Sequence, residues 1–200
     1  APLQVSYLGY PGTTGSQCID YLIADKTLVP KPYEKFYSEK ILFMPNCYQC
    51  LDTSLLDQNK TITRKDIGLP SNAFVFTCFN SNYKITPVEF DIWMNLLKRV
   101  PNSVLWINKS SKFARDNLLK EIVFRGVDPN RVFFASPLPI KDHVARHKCA
   151  DLFLDTFNYN AGVTAGIALL AGLPLVTKPG KSYTSRMATS LLKTLDMHEL

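Results

Sequence analysis

Three groups of residues in this chain have types and spacing that could do chemistry. The first is the run Asp155-Thr156-Phe157-Asn158-Tyr159-Asn160-Ala161-Gly162-Val163-Thr164, which leaves an apolar strand and enters an apolar helix. Small residues at Ala161 and Gly162 let a ligand approach the backbone. The first N–H groups of the helix, at Val163, Thr164 and Ala165, have no acceptor within it. A helix start of this kind attracts anions and suits a diphosphate, although the run reads equally as an ordinary strand-to-helix turn. It is neither a Walker A loop nor a dinucleotide G-x-G-x-x-G.

The second group centres on Lys84, at the end of Phe79-Asn80-Ser81-Asn82-Tyr83-Lys84. At the carboxyl edge of a strand its ammonium could neutralise a phosphate leaving group; a solvated loop lysine is the commoner alternative. The third group is Lys141, His143, Arg146 and His147 on one short helix. His143 and Arg146, three apart, share a face that could stack on and hydrogen-bond a base. His143 and His147 are four apart, but Val144-Ala145-Arg146 lacks the glutamate of H-E-x-x-H, so no zinc is expected. Cys47-Tyr-Gln-Cys50 has no second pair or histidine cluster to complete a metal site. Asp20, Asp25, Asp151 and Asp155 read as caps or edge charges, and no G-x-S-x-G elbow is present.

These groups need elements to position them. Short extended segments are expected at 4–8, 20–25 and 40–44, and residues 51–65 turn polar and form the best boundary. Beyond it, strands at 73–79, 103–107, 131–135, 152–154 and 175–177 alternate with helices. Thr86-Pro87-Val88-Glu89 starts the first helix as a capping box, with Val88, Ile92, Leu96 and Val100 at helical spacing. Further helices are expected at 113–125 (closed by Gly126), 141–148, 162–170 (ended by Gly172) and 185–195. Such alternation implies an α/β fold, a parallel sheet with helices on both faces and ligands beyond the carboxyl ends of its strands.

Composition narrows the partners. A hydrophobic fraction of 46% with 20% charged residues fits a globular chain with a core, and a net charge of +6 favours anionic ligands. Without a run of Lys/Arg or a nucleic-acid motif, a phosphate ligand is preferred to nucleic acid. No apolar run is long enough to span a bilayer, and no signal peptide or membrane partner is expected. Five irregularly spaced cysteines point to a reducing compartment, hence the cytoplasm, or the nucleus and cytoplasm of a eukaryote.

Taken together the chain resembles the catalytic region of the O-GlcNAc transferase family. The resemblance is carried by Leu8-Gly9-Tyr10-Pro11-Gly12-Thr13 with Asp20-Tyr21, by Tyr37-Ser38-Glu39-Lys40 with Met44-Pro45, and by Phe79-Asn80 with Tyr83-Lys84-Ile85. Leu97 through Trp106, His143-Val144-Ala145-Arg146, Ala150-Asp151 with Leu154-Asp155-Thr156, Ala171-Gly172-Leu173-Pro174 and Ser185-Arg186 continue it in family order. It implies a two-lobed GT-B fold: residues 1–50 as the end of an N-terminal lobe, 51–65 as a linker and 66–200 as most of a C-terminal, donor-binding lobe, incomplete and inactive by itself. It also implies transfer of N-acetylglucosamine from UDP-GlcNAc to Ser/Thr of acceptor proteins, with no metal or other cofactor.

By the same resemblance Lys84 is the catalytic residue and binds the diphosphate, Lys141 lies near the ribose, and His143 and Arg146 surround the uracil. Val163 and Thr164 offer backbone N–H groups to the phosphates, and Gly9 and Pro11 face the donor sugar. Family members commonly carry a His-Thr-Thr-like sequence here, with an aspartate that grips the ribose three residues after its second threonine. In this chain the helix opens Gly162-Val163-Thr164 and Ile167 holds the acidic position. That departure keeps two alternatives open: a degenerate lobe that holds a nucleotide or a protein without catalysis, and a SPINDLY-like fucosyltransferase using GDP-fucose.

Overall fold

In a computed structural model the protein is described at residues 1–57 and 59–200. The expected linker at 51–65 includes Gln58, which lies outside the described residues. The chain builds two parallel sheets. A three-stranded sheet has the order β1 (Val5–Ser6), β2 (Tyr21–Ala24), β3 (Lys40–Phe43). A five-stranded sheet follows, from β4 (Phe74–Cys78), β5 (Ser103–Asn108), β6 (Val132–Ala135), β7 (Leu152–Leu154) and β8 (Leu175–Val176), in the order β6-β5-β4-β7-β8. The chain builds outward from β4 to β6, then returns to β4's other side with β7. The switch point therefore falls between β4 and β7, where open parallel sheets bind ligands. The loops following these two strands carry Lys84 and the 155–164 run.

Strands β4 and β5 are apolar along nearly their whole length because helices cover both faces of the sheet. Helices α1 (Pro87–Arg99), α2 (Lys112–Phe124), α3 (Ile140–Arg146), α4 (Val163–Leu170) and α5 (Met187–Thr194) supply that cover. The Glu89 carboxylate accepts from both the backbone N–H and the hydroxyl of Thr86, fixing the start of α1 where the sequence places it. The buried face of α1 differs from expectation. Phe90, Trp93, Met94 and Leu97 are in the core, whereas Val88 is 59% exposed and Ile92 43%. Both series have helical spacing, and the aromatic one removes more apolar area from water. Gly126 and Gly172 end α2 and α4 at φ +69 and +80, a region other residues enter only with strain. Helix α5 is shorter than expected because Thr184–Arg186 form a tighter turn first.

The two sheets are locked together by buried polar contacts. Asp25, just after β2, accepts from the Tyr48 N–H and the hydroxyl of Ser190 on α5. Arg186 donates to the Leu28 carbonyl, and the rings of Tyr48 and Tyr183 meet edge to face. Residues 48–51 lie against the small-residue side of α4. A side chain at Gly162 would meet Met187 and the Tyr48 hydroxyl, and one at Gly166 would crowd Leu51.

Candidate functional site

The loop after β4 and the loop after β7 meet through Asn80. This buried side chain donates to Asp155 Oδ1 at 3.0 Å and to Thr156 Oγ1 at 2.8 Å, and it accepts from Thr164 Oγ1 at 2.6 Å. It thus ties the segment carrying Lys84 to the first turn of α4. The Lys84 Nζ donates to the carbonyl of Asn160 at 3.2 Å, two residues before the helix N-cap Gly162, and lies 3.7 Å from the centroid of the Tyr159 ring. Partial burial pushes its ammonium below the usual lysine range, and the charge of Asp155 offsets part of that fall.

Asp155 is the hub beneath this cluster. Besides Asn80 it accepts from the N–H groups of Thr156 and Ala161 and from the hydroxyl of Thr177. Burial pushes its carboxyl up to about 6, against the pull of those hydrogen bonds. Asn160 is also buried; its amide donates to the Thr156 carbonyl, while its Oδ1 has no hydrogen-bond partner among the described residues. The chemistry available is electrostatic: a cation and the start of a helix beside each other, with their supporting carboxylate saturated.

The base-directed residues sit next to this. A cavity of about 350 Å³ opens at the carboxyl ends of β4, β5 and β6, with Ser81, Asn82, Asn108, Ser110, His143 and Arg146 in its wall. His143 and Arg146 therefore do share a face and a cavity. Arg146 donates to the Ser136 carbonyl at 2.6 Å, and its guanidinium lies over the rings of Phe79 and Trp106 at 4.7 and 5.5 Å. Burial lowers it to about 10. Burial, assisted by the Arg146 charge, holds His143 at about 4. Burial and the neighbouring His143 hold His147 at about 3, so both rings are neutral at pH 7. Three buried polar atoms here, Arg146 Nε, His147 Nε2 and Ser110 Oγ, have no partner among the described residues.

Lys141 does not line that cavity; it is exposed on the first turn of α3, within electrostatic reach of Asp52. Gly9 is exposed and Pro11 half-buried in the loop after β1, which is anchored downstream where Thr13 and Thr14 donate to Glu39. At the start of that loop the Tyr7 hydroxyl donates to the Tyr48 carbonyl. Val163 is exposed at the head of α4. Ile167 is 4% exposed and packs with Val144 and Ala171, so the position expected to be acidic is part of a small apolar cluster between α3 and α4. A larger cleft of about 410 Å³ lies between Thr86–Glu89, residues 157–158 and the 178–185 loop, and neither Lys84 nor His143 lines it. Asn80, Asp155, Tyr159 and Asn160 were not singled out from the sequence as site residues. All four lie in loops after strands, and Asn80 and Asp155 also fall in stretches that carry the family resemblance.

Comparison with known proteins gives this arrangement a family. A family model for glycosyl transferase family 41 matches residues 1–59 and 56–200. A probable UDP-N-acetylglucosamine–peptide N-acetylglucosaminyltransferase, SEC, of Arabidopsis thaliana is 39% identical over 196 residues, covering 96% of this chain and 20% of that protein. A probable enzyme of the same description, SPINDLY, of Solanum lycopersicum is 32% identical over 206 residues, covering 100% of this chain and 22% of its own length. The solved structure of a mutant Thermobaculum terrenum O-GlcNAc transferase superposes with a TM-score of 0.84 at 29% identity, covering 100% of this chain and 38% of that one. The chain thus spans only about a fifth of these curated relatives' length.

Proposed function

This chain belongs to glycosyl transferase family 41 and has its GT-B-type architecture, and we propose that it is the donor-binding part of a protein O-GlcNAc transferase's catalytic region. In this reading residues 1–50 end the N-terminal lobe, 66–200 form the donor lobe, and the whole protein acts in the cytoplasm on Ser/Thr of acceptor proteins. The observation that carries it is the convergence of the Lys84 ammonium and the head of α4, tied by the Asn80–Thr164 hydrogen bond.

In the proposed reaction an acceptor hydroxyl attacks the anomeric carbon of UDP-GlcNAc, the bond from that carbon to the β-phosphate oxygen breaks, and the hydroxyl proton passes to a phosphate oxygen of the departing UDP or to solvent. Negative charge grows on the departing UDP. Lys84 and the N–H groups of Val163 and Thr164 would receive it, which needs no metal ion. The cavity at His143 and Arg146 would take the uracil, with one neutral histidine and a guanidinium in its wall offering stacking and donors. Gly9 and Pro11 would stand toward the sugar and Lys141 toward the ribose.

Ile167 supports a second reading, a lobe that binds nucleotide or protein without turnover, since an apolar side chain cannot accept from ribose hydroxyls. Calorimetric titration of the full-length protein with UDP and GDP, beside a transfer assay, separates the two. We expect UDP to bind in preference to GDP. Lys84→Met should weaken UDP by about ten-fold or more, the loss of one hydrogen bond to a charged group, and abolish transfer. UDP affinity unchanged by Lys84→Met would overturn the assignment. UDP binding without any transfer by the wild type would select the second reading.

A further inference from the structure

Lys84 is held in place without a carboxylate. Among the described residues it forms no ion pair. Asp155 acts on it electrostatically, yet that carboxylate is already taken up by Asn80, Thr156, Ala161 and Thr177. Two neutral groups do the holding instead: the Asn160 carbonyl at 3.2 Å and the Tyr159 ring at 3.7 Å from its centroid.

The distinction matters for an anion site. A carboxylate partner would cancel the lysine's charge and would have to be displaced by an incoming phosphate. A ring face attracts the ammonium through its quadrupole and takes none of its three N–H donors. With one donor on Asn160, the others stay available and the net charge stays whole. The ring itself is fixed. Tyr83 meets it edge to face at 6.5 Å, and the backbone on either side is pinned by the Thr156 hydroxyl on the Tyr159 carbonyl and by the Asn160 N–H on the Thr184 carbonyl.

We propose that Tyr159 is a positioning residue of the donor site, whose ring face fixes the Lys84 ammonium beside the head of α4 in an uncancelled, phosphate-ready state. The proposal rests on the reading of Lys84 as the diphosphate ligand, and a double-mutant cycle tells the two apart. UDP affinity is measured by calorimetry on the full-length protein as wild type, Tyr159→Phe, Tyr159→Leu, Lys84→Met and the Tyr159→Leu/Lys84→Met double variant. Tyr159→Met stands in should the leucine variant not fold.

Phenylalanine keeps the ring, and its affinity should stay within about two-fold of wild type; leucine should weaken UDP by about five-fold. In the Lys84→Met background the leucine substitution should cost nothing further, because no ammonium is left to position. The proposal is overturned by a leucine variant that binds like wild type, by a phenylalanine variant as weak as leucine, or by the same loss persisting without Lys84, which would mark a packing effect. Lys84→Met binding UDP like wild type would instead bring down the reading beneath it, and the proposal with it.

Discussion

The two ends of the candidate site are built on opposite plans. At the Lys84 end the carboxylate of Asp155 is saturated by its neighbours, Asn80 uses both its amide and its carbonyl in linking two loops, and Asn160 Oδ1 is the one buried polar side-chain atom left without a partner among the described residues. At the His143 end, Arg146 Nε and Ser110 Oγ, on residues of the cavity wall, and His147 Nε2, on a residue outside it, are buried with no partner among the described residues. A group buried without a partner costs free energy, and native folds keep such groups where something else uses them. The first end is a scaffold that holds a cation still; the second keeps donors and acceptors for whatever enters its cavity. Stability should therefore be concentrated at one end and unspent recognition at the other.

The largest expected effect tests that division directly. Asp155→Ala removes the common acceptor of two backbone N–H groups, an amide and a hydroxyl, all buried, and should lower stability by about 3–5 kcal/mol. His147→Phe removes one ring hydrogen bond to the His143 carbonyl and an unpartnered nitrogen, and should cost about 1 kcal/mol or less. Urea unfolding of both variants decides it. Equal losses would erase the contrast between the ends.

Acid should reveal the same contrast with opposite signs. His147 sits at about 3 in the fold against an ordinary 6.5. The folded state therefore binds fewer protons between those values, and the stability His147 contributes is present above pH 6.5 and lost as pH falls toward 3. His143, at about 4, acts in the same direction. Asp155, raised to about 6 from 3.8, acts the other way: its contribution is present below 3.8 and lost as pH rises through 6. The histidines have the larger combined shift, so stability should fall between pH 6.5 and 4, and His147→Phe should flatten that fall by roughly 2–4 kcal/mol. Unfolding curves at a series of pH values check it, and an unaltered slope in the variant would show that His147 is protonated without cost in the fold.

How legible each end was from the sequence follows from how local its contacts are. His143 and Arg146 share a helical face by their spacing alone, and the cavity contains both. Lys84 was legible as a cation after a strand. The scaffold was not: Asn80 reaches Asp155 across 75 residues, Thr156 across 76 and Thr164 across 84. These contacts exist because β7 inserts beside β4, which no local pattern states. A carboxylate after a short strand reads as an edge charge, and only the sheet order turns Asp155 into a buried hub. On α1 two apolar series competed, both compatible with a helix, and the bulk of Phe90, Trp93 and Met94 decided which face the sheet takes. Lys141 was grouped with His143 by its helix and placed near the ribose by the resemblance, and the fold sets it outside the cavity that holds His143.

The smallest effect probes the single bond that joins the Lys84 loop to α4. Thr164 Oγ1 donates to Asn80 Oδ1 at 2.6 Å and is half-buried. Thr164→Val keeps the shape, removes the donor and leaves the amide oxygen of a buried asparagine facing a methyl group, for about 1 kcal/mol of stability. Thr164→Ser keeps the hydroxyl and should stay within about 0.5 kcal/mol of wild type. If the bond only stabilises, UDP affinity should be unchanged in both variants. If it also sets the lysine against the helix head, valine alone should weaken UDP by about two- to five-fold while serine does not. Because Asn80 can still hold Asp155 and Thr156 in the valine variant, the saturated hub survives, and the change in UDP affinity reports the register between the two loops.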